Sequence, residues 1–209
     1  HSPVQPPTAA GVVQVAAGGA HSLFLKDDGS LWKQQHSGQT VQLEPGGVAV
    51  VAGTNQHILY IKEDGSLWAV GGNGRGQLGD GTTVHRSQPV QVVDSDVVAV
   101  TGGGYHSLFI KADGSLWAMG ANNLGSLGDG TNEVRLSPVK VVDDGGVAVT
   151  AGMYHSLLLN EDGSVWAMGI NAYFQLGDGT NQNRTSPVQV VEGGVVDLAA
   201  GGAHSLVVK

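Results

Sequence analysis

Short apolar runs alternate with glycine-rich turns along this chain, and the same arrangement returns at a nearly constant interval. In one copy, the run HSLFIK at 106–111 is followed by the turn ADGS and then by the run LWAMG at 116–120. Two such runs joined by an Asp-Gly turn predict a β-hairpin, with Gly114 at the position that favours positive φ. The runs at 97–100 and 137–142 predict the flanking strands, so each unit holds four strands, a to d.

Histidine and tryptophan mark the period. Histidines align at the start of strand b, and tryptophans follow eleven residues later in strand c. The aligned positions are His21, His57, His106, His155 and His204, with Trp32, Trp68, Trp117 and Trp166. Three of the four histidine steps are 49 residues and the first is 36. Such a period indicates stacked units, which span 11–45, 46–94, 95–143 and 144–192 with a half unit at 193–209, all within one domain over 1–209.

Strand b is apolar on both of its faces, as the consecutive residues Leu108, Phe109 and Ile110 illustrate. An antiparallel sheet with one wet face would alternate apolar and polar residues instead. Two covered faces place each small sheet between two neighbours, which is how the blades of a β-propeller pack. The prediction is therefore an all-β propeller.

The number of blades is less clear from the sequence. The last unit stops after strand b, and residues 2–5 (SPVQ) match the strand d text at 186–189. We expect a closed five-bladed ring in which residues 2–5 help to complete a thin composite blade. The alternative is a fragment of a larger, seven-bladed ring. Either way, a half blade leaves an unpaired strand edge, through which copies of the chain could assemble into a homo-oligomer.

Composition removes several classes of function. The chain has 34 glycines, no cysteine and a formal net charge of −8, so disulfides and zinc-thiolate sites are excluded. It has no cluster of lysine and arginine for nucleic acid and no apolar run that would span a membrane. The acidic balance favours a basic or neutral partner surface. Because the chain opens at His1 and not at Met, we expect a processed protein that is extracellular or at the cell surface.

In the motifs that repeat along it, the chain resembles the regulator-of-chromosome-condensation repeat family. The resemblance rests on AGGAHSLFL (17–25), EDGSLWAVG (63–71) and NGRGQLGDGT (73–82) and covers essentially the whole chain. It implies the propeller and leaves function open, since members are exchange factors for small GTPases, chromatin binders, parts of signalling proteins and bacterial β-lactamase inhibitors. The short first unit resembles the bacterial branch. No unit carries a long insertion, which weakens the exchange-factor reading.

The repeating polar residues favour structural roles. Histidines on separate blades are expected to hydrogen-bond the backbone across a hairpin or blade junction and not to hold a metal, and tryptophans are expected to pack between blades. Three pairs with constant spacing predict ion pairs that fix the loop between strands c and d. These pairs are Asp80 with Arg86, Asp129 with Arg135, and Asp178 with Arg184.

Residues that break the repeat are the candidates for binding. The residue before the histidine is Gln56, Tyr105 or Tyr154 in three units, and the tips of the c–d loops carry Arg75, Leu124, Tyr173 and Phe174. Loops and exposed aromatic residues are common in interfaces, although local packing would also explain these residues. We expect a non-catalytic binding scaffold with no cofactor or metal, which presents one face to a protein partner. The alternatives are a lectin-like propeller that binds carbohydrate through exposed Trp and Asn residues, and a self-assembling unit.

Overall fold

Strands and turns make up the protein. The computed structural model describes residues 10–19, 21–35, 37–53 and 56–209, and every regular element in these ranges is a β-strand. Within the same ranges, no helix is long and apolar enough to cross a membrane. The strands are β1 Val12–Ala17, β2 His21–Lys26, β3 Leu31–Gln35, β4 Thr40–Glu44, β5 Val48–Gly53, β6 His57–Lys62, β7 Leu67–Gly71, β8 Arg86–Val93, β9 Val97–Gly102, β10 His106–Lys111, β11 Leu116–Gly120, β12 Arg135–Val142, β13 Gly146–Ala151, β14 His155–Asn160, β15 Val165–Gly169, β16 Arg184–Val191, β17 Asp197–Ala200 and β18 Ser205–Val208.

Consecutive strands form small antiparallel sheets, which we call blades. Blades 1 to 4 contain β1–β4, β5–β8, β9–β12 and β13–β16, each with its strands in chain order. Blade 5 contains β17 and β18 alone among the described residues. Strands a to d of a complete blade are its four strands in order. The all-β propeller fold expected from the repeat is confirmed.

Turn chemistry sets the register of each central hairpin. Gly114 has a φ of 78°, as predicted, and the turn pairs Phe109 opposite Trp117. Strand d is longer than its sequence pattern suggested, because β12 begins at Arg135, which pairs with Gly120, and not at residue 137. The two extra residues extend strand d as far as Gly120, the last residue of strand c.

The core lies between the blades, not within one of them. Leu59 and Ile61 of β6 pack towards Phe109 of blade 3. Ile58 and Tyr60 of the same strand point the other way, into a cluster with blade 1. The repeated apolar strand b therefore supplies both faces of its blade, as its sequence required.

The tryptophans pack at these junctions. Trp68, Trp117 and Trp166 are half-buried against the clusters between blades 1 and 2, 2 and 3, and 3 and 4. Each indole N–H donates to the serine hydroxyl two residues earlier, at 2.9 Å for Trp117 and Ser115. Blade-to-blade packing, the role expected for them, is confirmed.

The inner ends of the blades surround a common channel. Glycine-rich segments of blades 1, 3, 4 and 5 line a cavity of about 290 Å³, including 17–19, 102–104, 151–153 and 200–202. Among the described residues, β17 and β18 pair only with each other. The predicted closing strand at 2–5 lies outside the described residues.

Candidate functional site

The junctions of blades 2 and 3, 3 and 4, and 4 and 5 each contain a histidine and a serine from successive blades. His57 Nε2 lies 2.7 Å from Ser107 Oγ, His106 Nε2 lies 3.0 Å from Ser156 Oγ, and the matching distance from His155 to Ser205 is 3.1 Å. The sequence analysis expected a structural histidine with a backbone partner. The role is structural, and the partner of Nε2 at these three junctions is the serine side chain of the next blade.

The serine hydroxyl requires a proton on Nε2 of its histidine. Ser107 Oγ donates its only proton to the carbonyl oxygen of Gln77, at 2.7 Å, so it must accept from His57 Nε2. A neutral imidazole with its proton on Nε2 meets this requirement. Burial lowers the pKa of His57 and of His106 to about 3, with nearby histidines adding to the effect. His57, Ser107 and the carbonyl of Gln77 thus link three segments of the chain, and His57 and Ser107 are fully buried.

The c–d loops are held by a second repeated network. Arg86, Arg135 and Arg184 contact Asp80, Asp129 and Asp178 respectively, each at 2.6 Å, so the predicted ion pairs are confirmed. Burial alone would raise the pKa of Asp178, but hydrogen bonds from Thr180 and Arg184 outweigh it and lower the pKa to about 2. The ion pairs therefore hold the c–d loops, and with them the residues at the loop tips, in one conformation.

Two tyrosines that break the repeat meet across the junction of blades 3 and 4. Tyr105 and Tyr154 precede the histidines of β10 and β14, and their ring centroids are 6.4 Å apart with an angle of 23° between the planes. Their backbone carbonyls accept from Ala121 and Ile170, which fixes the ends of strands b and c together. Tyr105 is half-buried, whereas Tyr154 retains 36 % of its surface exposed. The pair forms a stacked aromatic surface that solvent reaches.

Neighbouring loop tips complete a cavity around this pair. Arg75 from blade 2 and Leu124 from blade 3 line it together with both tyrosines, and its volume is about 480 Å³. Four of the predicted binding residues, from three blades, therefore share one site, which we call the tyrosine cavity. It places an apolar wall beside one guanidinium group, a combination suited to a side chain with an apolar body and an acceptor group.

The sequence analysis missed Ser126, which also lines the tyrosine cavity. The sister loops have Gln77 and Gln175 at this position, whose side-chain oxygens accept from the backbone N–H of Arg75 and Tyr173 at 2.9 Å. Ser126 is shorter and turns back to the carbonyl of Ala121. The shorter side chain of Ser126 leaves space below the loop tip. The sequence could have indicated this, because this c–d loop has serine where the loops with Gln77 and Gln175 have glutamine.

The remaining candidates lie elsewhere. Tyr173 and Phe174 line a separate groove of about 300 Å³ beside blade 5 and are 75 % and 61 % exposed. Gln56 is exposed and lies in neither cavity; its backbone carbonyl accepts from Gly72 as Tyr105 accepts from Ala121.

The repeated asparagines do not offer the surface that a lectin-like function requires. Asn73, Asn122 and Asn171 are fully buried. Asn122 donates to Asp129 and to the carbonyl of Thr131, and its oxygen accepts from Leu127. The polar groups of these side chains are used in hydrogen bonds that hold the c–d loop, so the structure does not support sugar recognition through them. Within the described ranges, no group of three acidic, histidine or cysteine side chains is placed to hold a metal.

Comparison with known proteins identifies the repeat. The family model described as "Regulator of chromosome condensation (RCC1) repeat" matches residues 64–110, 113–159 and 162–208. A second model of the same repeat matches 12–32, 48–77, 97–126 and 147–175. A search of curated protein sequences found no match.

Solved structures of low sequence identity share the fold. Human WBSCR16 is 24 % identical with a TM-score of 0.84, and the match covers 98 % of this chain and 59 % of that one. Prp20p from Saccharomyces cerevisiae is 19 % identical with a TM-score of 0.87, covering 97 % and 57 %. Yeast RCC1 (Prp20) bound to Kap60 is 21 % identical with a TM-score of 0.81, covering 94 % and 54 %. The chain thus spans somewhat more than half the length of these proteins.

Family models account for most of the chain, and the blades superpose on known propellers of the same type. The chain belongs to the regulator of chromosome condensation repeat family.

Proposed function

We propose that this protein is a non-catalytic binding scaffold that presents the tyrosine cavity to a protein partner. The observation that carries the proposal is the stacked, solvent-reached pair of Tyr105 and Tyr154, 6.4 Å apart at a blade junction. Tyrosine and arginine are enriched among residues that dominate binding energy. Here both kinds converge on one cavity of about 480 Å³, and ion pairs hold the c–d loops that carry Arg75 and Leu124.

The fold supports a binding role in general terms. Propellers of this repeat family commonly mediate protein interactions, and the solved relative Prp20p is described by its binding to Gsp1p and histones. That partner choice belongs to Prp20p. For the present chain, we infer a partner segment that places an apolar side chain against the tyrosines and an acceptor group, such as a carboxylate, near Arg75. Arg75 has no acidic partner among the described residues, so its guanidinium is available for such a contact.

The test is a peptide selection followed by measured affinities. A displayed peptide library is selected on the wild-type chain, and binders are titrated against the variant Tyr105→Ala/Tyr154→Ala. We expect selected peptides to lose at least about tenfold in affinity, because truncating an aromatic side chain that dominates an interface typically costs about 2 kcal/mol or more, and tenfold is about 1.4 kcal/mol. Val84→Ala is the matched control, since Val84 is an exposed apolar residue outside the cavity.

Either of two results would contradict the proposal. One is a set of selected peptides that bind the double variant as tightly as the wild type. The other is an acceleration of nucleotide release from a small GTPase by this chain, which would assign it an exchange activity. We expect no such acceleration.

A further inference from the structure

In blades 1 to 3, a lysine lies over the indole ring of the tryptophan in strand c. The lysine is the last residue of strand b in the same blade. Its ammonium nitrogen is 5.2, 4.3 and 5.5 Å from the ring centroid in the pairs Lys26 and Trp32, Lys62 and Trp68, and Lys111 and Trp117. A cation within about 6 Å of an indole face is attracted to it. The repeat therefore has a fixed position for a lysine ammonium.

The preceding blade supplies an acidic residue beside this position. In blade 2, Lys62 Nζ lies over Trp68 and also contacts Glu44 Oε2 of blade 1, at 3.2 Å. In blade 3, Asp94 of blade 2 lines the equivalent groove, of about 410 Å³, together with the lysine and the indole. A lysine in this position is thus bound by an aromatic face on one side and lies near a carboxylate on the other.

Blade 4 keeps the indole but not the lysine. Asn160 is the last residue of β14, on the same face of the strand as Leu158, which pairs with Trp166. Gln189, opposite Trp166 in β16, also replaces a lysine, because Lys140 is the equivalent residue in blade 3. Among the described residues, no lysine or arginine lies over Trp166, and the residues outside the described ranges include neither type.

The side chain of Asn160 is shorter than lysine and bonds within its own hairpin. Its amide nitrogen donates to Ser164 Oγ, at 3.4 Å. The indole N–H of Trp166 donates to the same hydroxyl, at 3.2 Å, so the ring is held as in the other blades. Trp166 is half-buried, and part of its ring therefore reaches solvent.

An acidic residue lies at the edge of this position in blade 4 as well. Trp166 packs against a cluster that includes Val142, the last residue of β12, and Asp143 follows directly. Asp143 occupies the repeat position of Asp94, which lines the groove of blade 3. Its side chain is 92 % exposed, and its contact with Lys140 is 3.7 Å long, so that pair contributes little. The carboxylate of Asp143 is therefore available to a second cation.

We propose that the indole face of Trp166 binds a lysine side chain of a partner protein. The site, which we call the Trp166 slot, consists of Trp166, Asn160, Gln189 and Asp143. The partner's ammonium takes the position that the chain's own lysines occupy in blades 1 to 3, near the carboxylate of Asp143. Because all three sister positions hold lysine, the slot suits a compact ammonium better than the planar guanidinium of arginine. The net charge of −8 favours the approach of a basic segment.

The Trp166 slot is separate from the tyrosine cavity. Tyr154 directly precedes β14, whereas Asn160 is the last residue of that strand, so the two sites lie at opposite ends of it. Binding at the slot therefore does not depend on the tyrosines, and a failure at one site leaves the other untouched.

The test uses the full chain and a synthetic peptide, GGKGKGG, with a twin in which both lysines carry an Nε-acetyl group. Binding is titrated by proton NMR on the lysine Hε signals, because protons held over an indole face shift upfield. We expect an upfield shift for the first peptide. We expect the acetylated twin to bind at least about fivefold more weakly, since acetylation removes the charge.

Asn160→Lys closes the slot from within. The new side chain supplies the lysine that the other blades have, so we expect it to lower the affinity for the peptide by at least about fivefold. Asn181→Lys is the charge-matched control, because Asn181 is exposed in the c–d loop, beyond the other end of β14. We expect this variant to bind within about twofold of wild type.

A second variant removes the ring and keeps Asn160. In Trp166→Leu we expect the upfield shift to disappear. The proposal is overturned if the peptide shows no upfield shift at millimolar concentration, or if the acetylated twin binds equally well. It is also overturned if Asn160→Lys and Asn181→Lys weaken binding by the same factor, which would assign the effect to net charge alone.

Discussion

Phe174 adopts a backbone conformation that its sister loops reserve for glycine. Its φ is 60°, whereas the equivalent Gly76 and Gly125 have φ values of 74° and 78°. A left-handed conformation costs a bulky residue about 1–2 kcal/mol relative to glycine. The loop of blade 4 is kept in register by the ion pair of Asp178 and Arg184, so the surrounding contacts impose this conformation on Phe174.

Replacing Phe174 by glycine should therefore stabilise the protein. We expect Phe174→Gly to raise the free energy of unfolding by up to about 1 kcal/mol, because the strain is relieved and the exposed ring loses little burial. The measurement is urea denaturation followed by tryptophan fluorescence.

The matched substitution at the sister position is expected to act in the opposite sense. Gly125→Ala would bring a Cβ to 2.8 Å from Thr185 Cα at a positive φ, and should destabilise by more than about 1 kcal/mol. A Phe174→Gly variant less stable than the wild type would show that the ring packs on the loop, and that the left-handed conformation is not a net cost.

At the scale of strands and blades, the hydrogen bond between a histidine and the serine of the next blade is the contact that recurs between blades. Its first copy is incomplete, because β6 has Ile58 where β10, β14 and β18 have serine. As a result, His21 Nε2 is buried without a hydrogen-bond partner among the described residues. The junction of blades 1 and 2 depends more heavily on apolar packing than the next three do.

Removing one junction serine tests this arrangement. Ser107→Ala deprives both His57 Nε2 and the carbonyl of Gln77 of their partner, and we expect a loss of about 1–3 kcal/mol in the free energy of unfolding. Ser22→Ala is the matched control, since Ser22 occupies the same repeat position in blade 1 but is exposed. We expect almost no change there, and equal losses at the two serines would refute a junction role.

The elements were easier to predict from the sequence than the site. Strands b and c depend on local patterns, namely apolar runs and an Asp-Gly turn, so β10 and β11 begin and end where expected. The tyrosine cavity depends on the packing of three blades, and no local pattern places Arg75 beside Tyr154. The histidine partners were missed for the same reason, because His57 and Ser107 are 50 residues apart.

At the scale of the whole molecule, the junction histidines make stability depend on pH. His57 and His106 are buried and neutral, and burial lowers the pKa of each to about 3. In the unfolded chain a histidine titrates near 6.5. As the pH falls below that value, the unfolded state binds protons that the folded state cannot, so this contribution to stability is present above about pH 6.5 and is lost progressively on acidification.

Acid should therefore destabilise the propeller before its carboxylates are protonated. Each of these two histidines costs about 1.4 kcal/mol per pH unit below about pH 6.5, so the pair costs up to about 5 kcal/mol by pH 4.5, a large share of a typical domain stability. The paired aspartates act at lower pH: the pKa of Asp178 is lowered to about 2, so its contribution is lost progressively as the pH falls from the ordinary aspartate pKa, about 3.9, to about 2. The measurement is the free energy of unfolding at half-unit steps from pH 7.5 to 4.5. His106→Gln should be less stable at pH 7 but flatten the slope by about 1.4 kcal/mol per pH unit. An unchanged slope in this variant would mean that His106 takes up a proton in the folded protein, which a sealed blade junction does not allow.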